Sequence, residues 1–145
     1  IKVISLLVER GVVVICAGGG GIPVVMRPDG SLAGVEAVID KDRASNLLAQ
    51  QLDADMLLLL TDIDAVYLDF GKPGARRIAR AGIGALRADQ FATGSMRPKV
   101  EAATTFAAAV GRPAAIGRLE DAAAILRGDA GTIIDGAGSA IEIRP

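Results

Sequence analysis

The chain has 145 residues, 16 basic and 17 acidic side chains for a formal net charge of −1, and 51% hydrophobic residues, which is length for one domain, 1–145, and hardly for two. A near-zero charge without a basic block, with 3% aromatics and no Trp, argues against a nucleic-acid or acidic-membrane partner. No His is present, which removes the commonest general base, the His-paired nucleophiles and most zinc sites, so any catalysis must rest on Lys, Arg, carboxylates and backbone amides.

The chain opens at Ile1 inside a helical pattern of Val3, Leu6, Leu7 and Arg10 with Gly11 as C-cap, which reads as a piece of something longer. Val12–Ala17 is a continuous, mostly β-branched run suited to a strand buried on both faces. Four glycines, Gly18 to Gly21, follow. Residues 23–27 and 31–35 flank Pro28-Asp29-Gly30, the turn chemistry of a short hairpin. Residues 43–52 predict a helix with Ala44, Leu47, Leu48 and Leu52 on one face and Asp42 as its cap. Residues 56–60 read as a second buried strand ending in Thr61-Asp62-Ile63-Asp64, and 65–68 as a short extended piece. The glycines, Pro73 and scattered Arg of 70–81 suggest a surface loop.

A short helix is expected over 83–91 and a stronger one over 98–110, with Pro98 at its first position and Gly111 after its end. Residues 114–117 suit a small strand, 120–127 a helix and 131–134 a final strand. This alternation argues for an α/β domain with a largely parallel sheet and ligands beyond the carboxyl ends of its strands. Cys16 alone permits no internal disulfide and fits the cytoplasm. Apolar runs such as 56–60 are too short to span a bilayer, and Ile1-Lys2-Val3 lacks a signal-peptide arrangement.

Four places have residues suited to chemistry. The glycine run after a predicted strand is either an anion-binding turn or a plain flexible one; it is neither a dinucleotide fingerprint nor a Walker A loop. Pro98 at the first helical position would place Lys99 second, where a cation is sensible if an anion lies at the helix start. The alternative is an exposed Lys whose stem covers apolar surface. In Ile39-Asp40-Lys41-Asp42 a carboxylate could hold a lysine facing a transferring phosphate, or simply cap the helix within a solvated ion pair. Thr61-Asp62-Ile63-Asp64 at a strand's carboxyl end is a candidate nucleotide or magnesium contact, or a turn-forming pair of aspartates.

Several segments together carry a resemblance: 12–24 with its four glycines, Gly34-Val35-Glu36-Ala37-Val38-Ile39-Asp40-Lys41-Asp42, Leu60-Thr61-Asp62, and Gly94-Ser95-Met96-Arg97-Pro98-Lys99-Val100. In order and spacing they resemble the carboxyl-terminal half of carbamate kinases, within the amino acid kinase family. The resemblance implies a three-layer αβα sandwich that transfers a phosphoryl group between ATP and carbamate, with Mg2+. It also implies a homodimer in the full-length form, often running from carbamoyl phosphate and ADP towards ATP in arginine fermentation.

By resemblance, Lys41 and Lys99 neutralise the transferring phosphoryl group and Asp42 orients the lysines. Thr61, Asp62, Tyr67, Met96 and Pro98 lie near the nucleotide, and Gly18, Gly19, Gly20 and Gly21 face the carbamoyl phosphate side. No protein metal ligand is assigned. Such kinases are about twice as long, and the other half carries a glycine-rich phosphate loop and another active-site lysine, so this chain alone is expected to lack a complete site. Arg97 stands where the family pattern has Gly. The alternatives are a catalytically inactive nucleotide-binding or subunit-association module, and a kinase for another small acid.

Overall fold

A computed structural model of the chain describes residues 1–91, 96–136 and 138–144. Helix α1 (Lys2–Glu9) closes with Gly11 at φ +75°, the left-handed turn expected there. Strands β1 (Val24–Met26) and β2 (Leu32–Gly34) form the predicted antiparallel hairpin. Asp29 stabilises its turn by accepting from both the backbone N–H and the hydroxyl of Ser31. Helix α2 (Lys41–Gln51) and β3 (Leu57–Thr61) follow, then β4 (Tyr67–Leu68) and β5 (Arg76–Ala81). Two 3-10 turns, Ile83–Ala85 and Ala88–Gln90, stand where one short helix was expected. Then come α3 (Met96–Val110), β6 (Ala114–Arg118), α4 (Ala122–Arg127), β7 (Thr132–Ile134) and β8 (Ile141–Ile143).

The fold is α/β, and its six-stranded sheet runs β3-β6-β7-β5-β4 with β8 also on β5. The β3–β6 and β5–β7 pairs are parallel, whereas β6–β7, β4–β5 and β5–β8 are antiparallel, so the sheet is mixed. Alternation along β3 builds three layers. Leu57 and Leu59 pack with Ala49 of α2 and with Val100, Ala103 and Phe106 of α3, while Leu58 and Leu60 lie against the cluster around Ile125 of α4. Alanines at 102, 103 and 107 are buried on α3, where their small side chains let the helix pack closely.

One polar group ties the interior together. Thr132, fully buried, donates its hydroxyl to the Ile78 carbonyl at 2.6 Å and accepts from the Val66 N–H at 2.9 Å, joining β7, β5 and the approach to β4.

Three expectations are corrected. Residues 12–17 are not a buried strand: Val13 and Ile15 are 92% and 97% exposed, and the run pairs with no strand among the described residues. A β-branched run becomes such a strand only where neighbours supply the ladder and cover both faces. Residues 70–81 are not all loop, because β5 buries Ile78 and Ala81 while Arg77 and Arg80 pair with Asp64 and Asp135; the arginines disguised the strand. Strand β8 follows the strand expected to be last.

Candidate functional site

Helix α2 starts two residues earlier than Asp42 would have it. Asp40 is the N-cap, accepting from the N–H groups of Asp42 and Arg43 at 3.0 Å each. That frees the Asp42 carboxylate, inside the first turn and 6% exposed, to face α3. Helix α3 likewise begins at Met96, so Pro98 is its third residue and Lys99 its fourth rather than its second. A proline there still falls in the first turn, where an N–H is not needed for the helix ladder.

These two starts bring Lys41, Asp42 and Lys99 together. Lys99 Nζ donates to Asp42 Oδ2 at 3.0 Å, and Lys41 Nζ stands 3.8 Å from the same oxygen. Lys99 is 7% exposed, so it is not a solvated Lys with only its stem on apolar surface, whereas Lys41 reaches solvent. The glycine run packs onto the same place. A Cβ on Gly20 would stand 2.2 Å from the Ile39 carbonyl oxygen and 3.3 Å from the Lys41 nitrogen, at φ +130°, so only glycine lets the run approach the start of α2. Gly18 and Gly20 use their N–H groups within the turn, on the carbonyls of Cys16 and Ala17. Gly19 and Gly21 have no acceptor among the described residues.

Tyr67 and Met96 line a cavity of about 530 Å³, of the size that takes a small organic ligand, together with Phe70, Phe91, Lys72 and Arg76. The Tyr67 and Phe70 rings meet edge to face, with centroids 5.7 Å apart. Tyr67 donates its hydroxyl to both oxygens of Asp64 at 3.1 Å, and Arg77 Nη1 donates to Asp64 Oδ2 at 3.1 Å. Burial opposes ionisation of Asp64, but the hydrogen bonds from Arg77 and Tyr67 and the Arg77 charge outweigh it and hold the carboxyl below its ordinary range. Burial and the facing Asp64 push the Tyr67 phenol up.

Thr61 and Asp62 lie elsewhere, in an open groove at the carboxyl ends of β3 and β6 beside Arg118 and Glu120. The Thr61 hydroxyl donates to Asp62 at 3.0 Å. The strand ends thus open onto a groove as the topology predicts, but the groove and the Tyr67 cavity have no lining residue in common. Gly94 and Ser95 lie outside the described residues. Arg97 donates Nε to Glu101 Oε1 at 3.0 Å, and Arg43 of α2 donates to Glu101 Oε2 at 3.1 Å. These two cations hold the Glu101 carboxyl below its ordinary range.

Sequence reasoning missed Arg77, Lys72, Arg76 and the aromatic pair Phe70 and Phe91, and it grouped Asp64 with Thr61 and Asp62, whereas the structure sets Asp64 against Tyr67. A usable signal was the Tyr67-x-x-Phe70 spacing beside Asp64, submerged because Phe70 was assigned to a loop. Among the described residues no cluster of three or more acidic or Cys side chains could hold a metal, and no helix is long and apolar enough to cross a membrane.

Known proteins of similar sequence share this fold. The chain is 49% identical over 134 residues to the carbamate kinase of Haemophilus influenzae and 48% identical over 136 residues to that of Rhizobium meliloti. Each match covers 92% of this chain, but 43% and 42% of those proteins, so the chain spans less than half the length of these relatives. Among solved structures it is similar to Giardia lamblia carbamate kinase bound to AMP-PNP, with a TM-score of 0.87 and 41% identity over 92% of this chain and 48% of that one. The amino acid kinase family profile matches residues 1–118, and the chain belongs to that family.

Proposed function

We propose that the chain is the carboxyl-terminal, nucleotide-binding half of a carbamate kinase-type enzyme, binding ADP or ATP for phosphoryl transfer with carbamate and carbamoyl phosphate. The observation that carries the reading is the convergence of Lys41, Asp42 and Lys99 where the first turns of α2 and α3 meet, with Gly20 packed on the same backbone. Phosphoryl transfer asks for positioning and charge neutralisation more than for a side-chain base, which suits a chain without His. Lys41 and Lys99 would neutralise the transferring group, and Asp42, in contact with both, would fix their ammonium positions. The Tyr67–Met96 cavity would receive the nucleotide, with Pro98 in the neighbouring first turn, and Gly19 and Gly21 would present amides towards the carbamoyl phosphate side.

Magnesium fits this donor set as an ion that arrives on the nucleotide phosphates and keeps most of its waters, since the described residues hold no acidic cluster of their own for it. When bound it would supply charge neutralisation between the phosphates. The homodimer implied by the resemblance belongs to the same proposal for the longer protein, as does a cytoplasmic setting.

The test is a calorimetric titration of the purified chain with Mg-ADP, followed by an assay for ATP from carbamoyl phosphate and Mg-ADP with a Lys99→Ala control. The expected result is saturable Mg-ADP binding without ATP formation. No binding by folded chain would refute the reading. ATP formation lost in the control would show that these 145 residues rebuild a working site.

A further inference from the structure

Strand β4 is two residues long, so its backbone pairing alone restrains Tyr67 weakly. Its side chain is held by other means. Tyr67 stands directly opposite Arg77 across the antiparallel β4–β5 pair, and Asp64, three residues upstream, accepts from both. The resulting Tyr67–Asp64–Arg77 bridge lies behind one wall of the cavity, and the chemistry assigned to Lys41, Asp42 and Lys99 makes no use of it.

We propose that Asp64 is a positioning residue for this cavity: braced by Arg77, it fixes the Tyr67 hydroxyl and so holds the ring as a preformed wall for the base of a nucleotide. The role rests on the nucleotide reading above and deepens it. A wall that is in place before binding spares the ligand the cost of ordering it. Arg118, from the end of β6, also acts on the phenol, and Asp69, Lys72 and Arg76 line the same cavity.

Tyr67 is the single tyrosine and the chain has no Trp, so the ultraviolet absorbance of the phenolate reports on this one residue. In the 145-residue chain, Asp64→Asn should bring the phenol's titration down towards the ordinary value of about 10. Asp64→Asn and Tyr67→Phe should each weaken Mg-ADP binding about tenfold, the effect of a wall correctly placed a tenth of the time. The double variant should be no weaker than either single one, because both remove the same hydrogen bond.

An unchanged phenol titration or wild-type affinity in Asp64→Asn would overturn the role. Wild-type affinity in Tyr67→Phe beside weak binding in Asp64→Asn would also overturn it, by showing that Asp64 acts without Tyr67. If Asp64→Asn fails to fold, Tyr67→Phe decides alone, since it keeps the ring and the Asp64–Arg77 pair. Absence of Mg-ADP binding in the wild-type chain would defeat the nucleotide reading and this role together, whereas binding that survives both substitutions defeats only this role.

Discussion

Lys99 Nζ and Asp42 Oδ2 stand 3.0 Å apart across the α2–α3 contact, with both side chains more than nine-tenths shielded from solvent. The pair therefore has two duties, since the proposed phosphate cation is also a buried structural charge. Removing one partner strands the other in a low dielectric, at a typical cost of 3–5 kcal/mol. Lys41, 3.8 Å from the same oxygen, offsets part of that loss.

Lys99→Ala should accordingly lower stability by about 3 kcal/mol in urea unfolding, besides weakening Mg-ADP binding. The double change Lys99→Met with Asp42→Asn should recover much of the stability and none of the affinity. A Lys99→Ala chain as stable as wild type would mean that Asp42 is relieved by water or by Lys41.

Arg97 occupies the family's glycine position, and its guanidinium pairs with Glu101 alongside Arg43. Arg97→Gly should leave Mg-ADP affinity within about twofold, because the cation is engaged on the flank of α3. Stability should fall by roughly 1 kcal/mol, the helix cost of glycine plus a few tenths for the exposed pair. A large affinity change in calorimetry would mean that Arg97 leaves Glu101 for the nucleotide.

The parts legible in the sequence were those fixed locally. The Pro28-Asp29-Gly30 turn, the apolar run of β3 and the left-handed Gly11 and Gly111 all follow from short-range chemistry. What escaped depended on distant partners. Residues 12–17 have the composition of a buried strand, but that outcome belongs to neighbouring strands rather than to the run itself. The arginines of β5 looked solvent-bound because their carboxylates, Asp64 and Asp135, lie 13 and 55 residues away. Motif spacing singled out Lys41, Asp42 and Lys99, which the fold brings together, yet the exchange of capping from Asp42 to Asp40 appeared only when α3 supplied a lysine. Thr132 shows the same limit, because nothing near it in sequence announces its two buried partners.

The bridge at Asp64 also predicts an acid response. Its folded pKa lies below the unfolded one, so its contribution to stability is present above the ordinary carboxylate value of about 4 and is lost as pH falls through the lower folded value. Urea midpoints measured from neutral pH downwards should therefore fall more steeply below about pH 4 in the wild-type chain than in Asp64→Asn. Parallel curves would mean that Arg77 and Tyr67 do not favour the ionised form.

Gly20 and Gly19 separate packing from flexibility within one run. A Cβ at Gly20 collides with the Ile39 carbonyl and needs a backbone angle that L residues rarely adopt, whereas at Gly19 it meets nothing within 4 Å. Gly20→Ala should cost about 1–3 kcal/mol from strain and weaken Mg-ADP binding by shifting the start of α2, where Asp40 caps the helix and Lys41 and Asp42 begin it. Gly19→Ala should leave the urea midpoint close to wild type. Equal stability of the two variants would show that residues 18–21 are a loose turn with no fixed seat on Ile39, and would remove the glycine run from the proposed site.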